Sequence, residues 1–153
     1  MTDIDADAAR DRLLAAHRDA VEATLACAEA VAAGFDARID GDPASRESRA
    51  VRADLRATFE RAGLLAGLVS LLPDVVDAAG GTLSAPPVAA PPYVAVTSTG
   101  PVLRATLGDA RLVVGIEVYA VVDGTFVWRE PTPAEAVRVA VRRRMGRGGG
   151  SRQ

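Results

Sequence analysis

Apolar residues recur at helical spacing through the first half of the chain. No proline or glycine occurs between Asp5 and Ala33, and alanine, the strongest helix former, is abundant there. Positions three and four residues apart form one apolar stripe, which comprises Leu14, His17, Val21, Thr24, Ala28, Val31 and Phe35. The pattern predicts a single long helix that ends at Gly34.

A second helix is predicted from Asp42 to about Leu72. Asp42 is a favoured N-cap residue, and Pro43 suits the first helical position. The apolar stripe of this helix comprises Val51, Leu55, Ala62, Leu65, Val69 and Leu72. Gly63 and Gly67 lower the helix propensity, and they indicate either a bend or the close approach of another backbone.

The two predicted helices are joined by a short polar turn, residues 34–42, so we expect them to pack antiparallel as a hairpin. Pro73 should end or kink the second helix, because proline cannot donate a helical hydrogen bond. Residues 74–79 would then add one short turn. The helical part of the chain is predicted to cover residues 3–80.

The apolar period changes to two after a proline-rich linker, residues 81–92. Alternating segments predict four strands, which are Tyr93–Thr97, Val102–Leu107, Arg111–Val122 and Thr125–Arg129. Asp123-Gly124 is a strong signal for a tight hairpin turn. Residues 93–130 are therefore predicted to form a four-stranded antiparallel meander.

The segment after the meander supports two alternatives. Thr132-Pro133-Ala134-Glu135 has the form of a capping box with proline at the first helical position, which predicts a helix over residues 132–145. The run from Val137 to Arg142 alternates, however, and a fifth strand remains the alternative. Residues 146–153 are rich in glycine and arginine and are predicted to be a disordered tail.

These elements predict an α+β fold in a single domain, residues 1–145. The helical hairpin and the meander each have an apolar face to bury, and each is the nearest partner of the other. We therefore expect the hairpin to pack on one face of the sheet, followed by the short C-terminal helix.

The composition indicates the cellular compartment and excludes some kinds of covalent cross-link and metal site. Cys27 is the only cysteine, so an internal disulfide and a cysteine-based zinc site are excluded. The apolar run from Ala62 to Pro73 is far short of the roughly 20 residues of a membrane-spanning helix. The acidic first residues also lack the layout of a secretory signal. We expect a cytoplasmic protein without membrane association.

Charge is divided unevenly along the sequence. The formal net charge is −2, but residues 1–85 carry −6 and residues 86–153 carry +4. We therefore expect attraction between the two parts, either within one molecule or between copies, and a homo-oligomer or another protein partner is one expectation.

Catalytic and metal-binding patterns are weak. His17 is the only histidine, and its place on the apolar stripe favours a half-buried residue over a general base. Cys27 lies among Ala26, Ala28 and Glu29 and is expected to be a small buried core residue. Asp36, Asp40 and Asp42 lack the ligand spacing of a calcium loop. No catalytic, cofactor-binding or metal-binding residue is predicted, and we expect that the protein is not an enzyme.

Two sets of polar residues are candidate contact surfaces. No acid follows Glu135, and the C-terminal arginines are candidates for nucleic-acid or partner contacts, because such a block neutralises phosphates. They are Arg138, Arg142, Arg143, Arg144 and Arg147. The polar face of the predicted sheet is the second candidate, and it comprises Arg104, Thr106, Arg111, Glu117 and Tyr119.

The sequence also resembles a known group of proteins. The stretches Pro91–Ser98 and Gly100–Leu107, together with the absence of lysine and the excess of aspartate over glutamate, resemble small uncharacterised proteins of haloarchaea. The resemblance covers mainly residues 91–130. It implies no activity and provides no functional residues.

Three functional hypotheses follow from these features. The first is a non-enzymatic binding or protein-interaction module. The second is a nucleic-acid-associated protein that uses the arginine-rich C-terminus. The third is a small-ligand-binding domain that uses a crevice between the helical hairpin and the sheet.

Overall fold

The computed structural model of the chain describes residues 3–143. Within this range the chain is α+β, as predicted, with five helices and two four-stranded antiparallel sheets. The helices are α1 (Ala6–Ala16), α2 (Arg18–Ala32), α3 (Ser48–Arg61), α4 (Leu64–Ala78) and α5 (Pro133–Ala136). The strands are β1 (Ala37–Ile39), β2 (Asp42–Ser45), β3 (Val94–Thr97), β4 (Gly100–Leu107), β5 (Ala110–Ile116), β6 (Ala120–Val122), β7 (Thr125–Val127) and β8 (Val137–Arg143).

The first predicted helix is divided into α1 and α2 at His17. The backbone of His17 leaves the helical region at φ −126° and ψ 28°. Helix propensity alone does not account for this break, because no glycine or proline is nearby. The imidazole of His17 contacts Asp74 of α4. A tertiary contact therefore accompanies the break, although the local sequence favours a continuous helix. The prediction of one continuous helix was wrong.

The segment predicted as a polar turn is a β-hairpin. Asp40 and Gly41 both have positive φ, at 51° and 84°, as the two central residues of a tight hairpin turn require. Asp42 therefore begins β2 and does not cap a helix, and α3 begins six residues later at Ser48. The prediction of a helix start at Asp42 was wrong because the turn preference of Asp-Gly prevails there.

The second predicted helix is also divided in two. Gly63 has a left-handed backbone with φ 67° and separates α3 from α4, which confirms that this glycine marks a bend. Pro73 does not end the helix: it is exposed, and α4 continues through it to Ala78. The helix tolerates the proline because Val75, Val76 and Ala79 remain buried beyond it.

The predicted meander is shared between two sheets. The large sheet has the order β3-β4-β5-β8, and the small sheet has the order β1-β2-β7-β6. The chain leaves the large sheet after Ile116, where it passes over Gly100, and the Val118 amide donates to the Thr99 carbonyl over 2.7 Å. The predicted strand over residues 111–122 is thus interrupted, and its second part joins the small sheet.

The predicted C-terminal helix is replaced by a strand. The capping box at Thr132 is present, but α5 contains only four residues. Residues 137–143 pair antiparallel with the whole of β5, from Ile116 opposite Val137 to Ala110 opposite Arg143. Alternation of the valines at 137, 139 and 141 with Arg138, Ala140 and Arg142 prevails over the helix start, because β5 offers an open edge for pairing.

Helices and the large sheet share one core. Leu13, Leu55, Phe59, Leu72, Leu103, Leu112 and Ile116 are all buried in it. Helix α1 packs against β8, and α4 packs against β4. The space between helices and sheet is therefore filled by side chains, and the other face of the large sheet is left open. No helix within residues 3–143 is long and apolar enough to cross a membrane.

Candidate functional site

The open face of the large sheet carries a cluster of arginines. Strand alternation directs Leu103, Ala105 and Leu107 into the core, so Arg104 and Thr106 lie on the opposite side of β4. The same alternation places Arg111 of β5 and Arg138 and Arg142 of β8 on that side. We call this surface the basic face, and it consists of Tyr93, Arg104, Thr106, Arg111, Arg138 and Arg142.

The centre of the basic face is a row across three strands. Thr106, Arg111 and Arg142 are consecutive cross-strand partners in the register of β4, β5 and β8. Arg111 and Arg142 thus lie directly opposite each other. Like charges in this arrangement are destabilising. The register therefore places two like-charged side chains next to each other on the open face of the sheet.

Most of the basic face lacks compensating acids. Within residues 3–143, no carboxylate lies within 4.0 Å of the guanidinium groups of Arg104, Arg111 or Arg142. Arg138 differs, because its Nε lies 3.7 Å from Glu117. The positive charge of the row therefore remains available to an external ligand.

Two surface depressions adjoin the row and share Thr106 and Arg111. The first, of about 210 Å³, lies at the β4–β5 turn, and its lining includes Arg142 together with Asp109 and Arg143. The second, of about 200 Å³, lies between the chain that follows α4 and the start of β3. Residues Leu83, Ser84, Ala85, Pro92, Tyr93 and Arg104 complete its lining. The two depressions therefore meet at Thr106 and Arg111, with Arg142 in the first and Arg104 in the second.

The predicted C-terminal arginines are distributed unequally. Arg138 and Arg142 belong to the basic face. Arg143 lies on the other side of β8, where it pairs with Asp3 over 3.1 Å and with Asp109 over 3.7 Å. Arg144 and Arg147 lie outside the described residues. The structure therefore brings two of the five together.

The second predicted surface, on the polar face of the sheet, merges with the first. Arg104, Thr106 and Arg111 belong to the basic face, with Glu117 at its edge. Tyr119 does not: it is only 3 % exposed, and its hydroxyl donates to the Ala28 carbonyl over 2.8 Å. The union of the two surfaces was missed because a helix over 132–145 would have separated them. The alternation after Val137 was the signal that could have revealed it.

His17 forms a polar contact outside the basic face. Its Nε2 lies 2.6 Å from Oδ2 of Asp74, and Arg12 donates to the same carboxylate over 2.7 and 3.2 Å. The hydrogen bond from Arg12, and then that from His17, lowers the pKa of Asp74. The three side chains join α1, the helix break and α4.

Cys27 and the acidic turn residues have ordinary structural environments. Burial raises the pKa of the Cys27 thiol, and nearby Arg61 opposes this only in part, so the thiol form is favoured. Ten residues separate Cys27 from His17, about 15 Å along a helix. Asp42 pairs with Arg129 over 3.0 Å. Among residues 3–143, no group of three or more metal-ligating side chains is close enough to hold an ion.

Comparison with known proteins places the chain in a family. No curated protein and no solved structure matches it. A family model described as a domain of unknown function, DUF7988, matches residues 7–142. This range includes every helix of the fold except the first residue of α1, and all of the basic face. The chain therefore belongs to the DUF7988 family.

Proposed function

We propose that this protein is a non-catalytic binding module whose basic face binds nucleic acid through its phosphates. The observation that carries the proposal is the cross-strand pair Arg111 and Arg142, which lies beside Arg104 with no acid in contact. Guanidinium groups bind phosphate in bidentate geometry and keep their charge at every physiological pH.

The distribution of charge supports a polyanion as the ligand. The sequence has a net charge of −2 and a pI of about 5.4, so general attraction to anions is weak. The arginines of the basic face are nevertheless concentrated on one side of one sheet. In the sequence, Arg144, Arg147 and Arg152 also follow β8. Arg104, Arg111 and Arg142 lie on three neighbouring strands, and such a spread of cationic groups matches the repeated phosphates of a polyanion better than a single small anion.

The non-catalytic part of the proposal rests on the surroundings of the only His and Cys. His17 is engaged by Asp74, and Cys27 is held as a thiol on another part of the helical layer. Neither belongs to the two depressions of the basic face. A ligand on the basic face would therefore be bound by arginines and hydroxyls, without contact to His17 as a base for those hydroxyls or to the Cys27 thiol.

Fluorescence anisotropy with labelled DNA and RNA tests the proposal. The wild type should bind at about 50 mM salt and weaken steeply towards about 200 mM salt. The double variant Arg111→Gln/Arg142→Gln should bind at least about tenfold more weakly, and its log–log salt slope should fall by about 1.4 for single strands. The matched control is Arg49→Gln/Arg52→Gln, which removes the same charge from the exposed surface of α3 and should change affinity little.

Other outcomes would contradict the proposal in distinct ways. Equal loss of affinity in the two double variants would mean that only net charge matters. Loss restricted to an Arg144→Gln/Arg147→Gln variant would assign binding to the residues after β8 instead of the sheet. Absence of binding at low salt, with a change of molecular mass in the Arg111→Gln/Arg142→Gln variant by light scattering, would identify a protein interface.

A further inference from the structure

We infer that the nucleic acid bound by the basic face is single-stranded, with one unstacked base held in the depression that Tyr93 lines. This inference rests on the proposed function and specifies the form of its ligand. The relevant feature is the second depression, of about 200 Å³, which we call the Tyr93 cleft. It is defined by Leu83, Ser84, Pro92, Tyr93 and Arg104 and is continuous with the row through Thr106 and Arg111.

The walls of the Tyr93 cleft suit a flat aromatic ring. Leu83, Pro92 and the half-buried ring of Tyr93 provide apolar surface. Arg104 lies beside Tyr93, because its amide donates to the Tyr93 carbonyl over 2.9 Å. Nucleobases are commonly stacked on tyrosine rings and on guanidinium planes in proteins that bind single strands.

Three hydroxyl groups at the cleft are available to the edge of a base. Within residues 3–143, the hydroxyls of Ser84, Tyr93 and Thr106 take part in no intramolecular hydrogen bond, whereas those of Thr97, Ser98 and Thr99 on the neighbouring hairpin do. The lining of the cleft is thus divided about evenly between apolar and polar groups. A base bound by a protein uses both kinds of group, an apolar or aromatic surface for its face and polar groups for its edge.

The position of the cleft beside the row argues against a duplex. In a duplex the bases are stacked and paired inside, and only the phosphate backbone and the groove edges meet a protein surface. A duplex would bind the row through its phosphates and would place no base in the Tyr93 cleft. In a single strand the phosphate and the base of one nucleotide diverge, so Arg111 and Arg142 would bind the phosphate while the attached base enters the cleft.

Direct competition between oligonucleotides of about 16 nucleotides tests the inference on the full chain. The competitors are single-stranded DNA, single-stranded RNA, a duplex of equal length, and an abasic strand that retains the phosphates without bases. We expect the base-containing single strands to bind about tenfold or more tightly than the abasic strand or the duplex. A preference between DNA and RNA would identify the sugar of the natural ligand.

Variants of the cleft separate base recognition from phosphate binding. Tyr93→Ala should lose the preference for the base-containing strand and keep its affinity for the abasic strand, while Tyr93→Phe should retain the preference because the ring remains. Should Tyr93→Ala fail to fold, Ser84→Leu provides the same test, since this position is exposed and the larger side chain fills the cleft.

The outcomes distinguish this inference from the proposed function. Equal binding of abasic, duplex and base-containing strands would overturn the inference and leave phosphate binding by the row intact. Retention of the preference in both Tyr93→Ala and Ser84→Leu would also overturn it. Absence of binding to every oligonucleotide would overturn the proposed function itself.

Discussion

Gly100 lies so close to Ile116 that a Cβ on the glycine would be 2.0 Å from the Ile116 carbonyl oxygen. This contact is where the chain leaves the large sheet and crosses to the small one, and Gly100 also has φ 133°, a conformation that side chains rarely allow. The contact therefore fixes the crossing point between the two sheets.

Substitution of Gly100 tests this crossing. Gly100→Ala should lower the free energy of unfolding by about 3 kcal/mol or more, because both the backbone conformation and the contact with Ile116 must change. Gly115→Ala on the neighbouring strand is the matched control, since nothing lies within 4 Å of its added Cβ. Its effect should stay within about 1 kcal/mol in urea denaturation. Equal effects in the two variants would show that the crossing is not constrained at Gly100.

The α3–α4 junction offers a pair of glycines with opposite expectations. Gly63→Ala should destabilise the fold by about 1 kcal/mol, because Gly63 has a left-handed backbone with φ 67°. Gly67→Ala lies within α4 at an exposed position with open space around it, and it should stabilise the fold by about 0.5 to 1 kcal/mol. Thermal and urea denaturation of the two variants would measure this difference in sign. A stabilising Gly63→Ala would contradict a sharp break between the helices.

Asp74 should make the free energy of unfolding depend on pH in the acidic range. Its pKa is lowered by hydrogen bonds from Arg12 and then His17, so the folded state favours the carboxylate. The resulting stability is complete above the ordinary aspartate pKa of about 4 and is lost as the pH falls through the lower pKa of the folded state. Asp74→Asn should destabilise the protein at neutral pH and reduce the loss of stability on acidification.

The control for Asp74 is Asp77→Asn, which removes an exposed carboxylate three residues further along α4. Denaturation curves at several acidic pH values should show a reduced pH dependence in Asp74→Asn alone. The same change in both variants would indicate a general effect of helix charge.

Tyr119 should affect stability through its hydroxyl. Tyr119→Phe removes the buried hydrogen bond to Ala28 and should cost about 1 kcal/mol. Burial raises the pKa of Tyr119, so the wild type loses stability as the pH rises above the ordinary tyrosine pKa of about 10, where the unfolded chain ionises first. The Tyr119→Phe variant should lack the part of the stability loss at alkaline pH that comes from ionisation of Tyr119. Tyr93→Phe is the control for loss of a tyrosine hydroxyl, and urea denaturation at neutral pH should show little change in it.

Much of the architecture was predictable from periodicity because burial imposes it directly. The stripes of the first half did mark helices, and the period of two did mark strands. The break at His17 was not predictable, because the contact that accompanies it comes from Asp74, far away in sequence. Asp40 and Gly41 did carry a local turn signal, but the attractive N-cap at Asp42 obscured it.

The basic face was predictable only in parts. Arg111 and Arg142 were each identified as surface candidates, but in separate sets. Their position opposite each other depends on the pairing of β5 with β8, and such a register is set by long-range contacts. The alternation of Val137, Val139 and Val141 favoured a strand, while the capping box at Thr132 favoured a helix. Each signal describes a different part of the segment, because α5 covers Pro133–Ala136 and β8 covers Val137–Arg143.

The late position of β8 in the sequence has a consequence for biosynthesis. Of the described strands it is the last to emerge during translation, yet it supplies one half of the pair formed by Arg111 and Arg142. A nascent chain that has folded as far as β7 still leaves one side of β5 without its neighbour. The complete row of Thr106, Arg111 and Arg142 therefore cannot form until synthesis has passed Arg142.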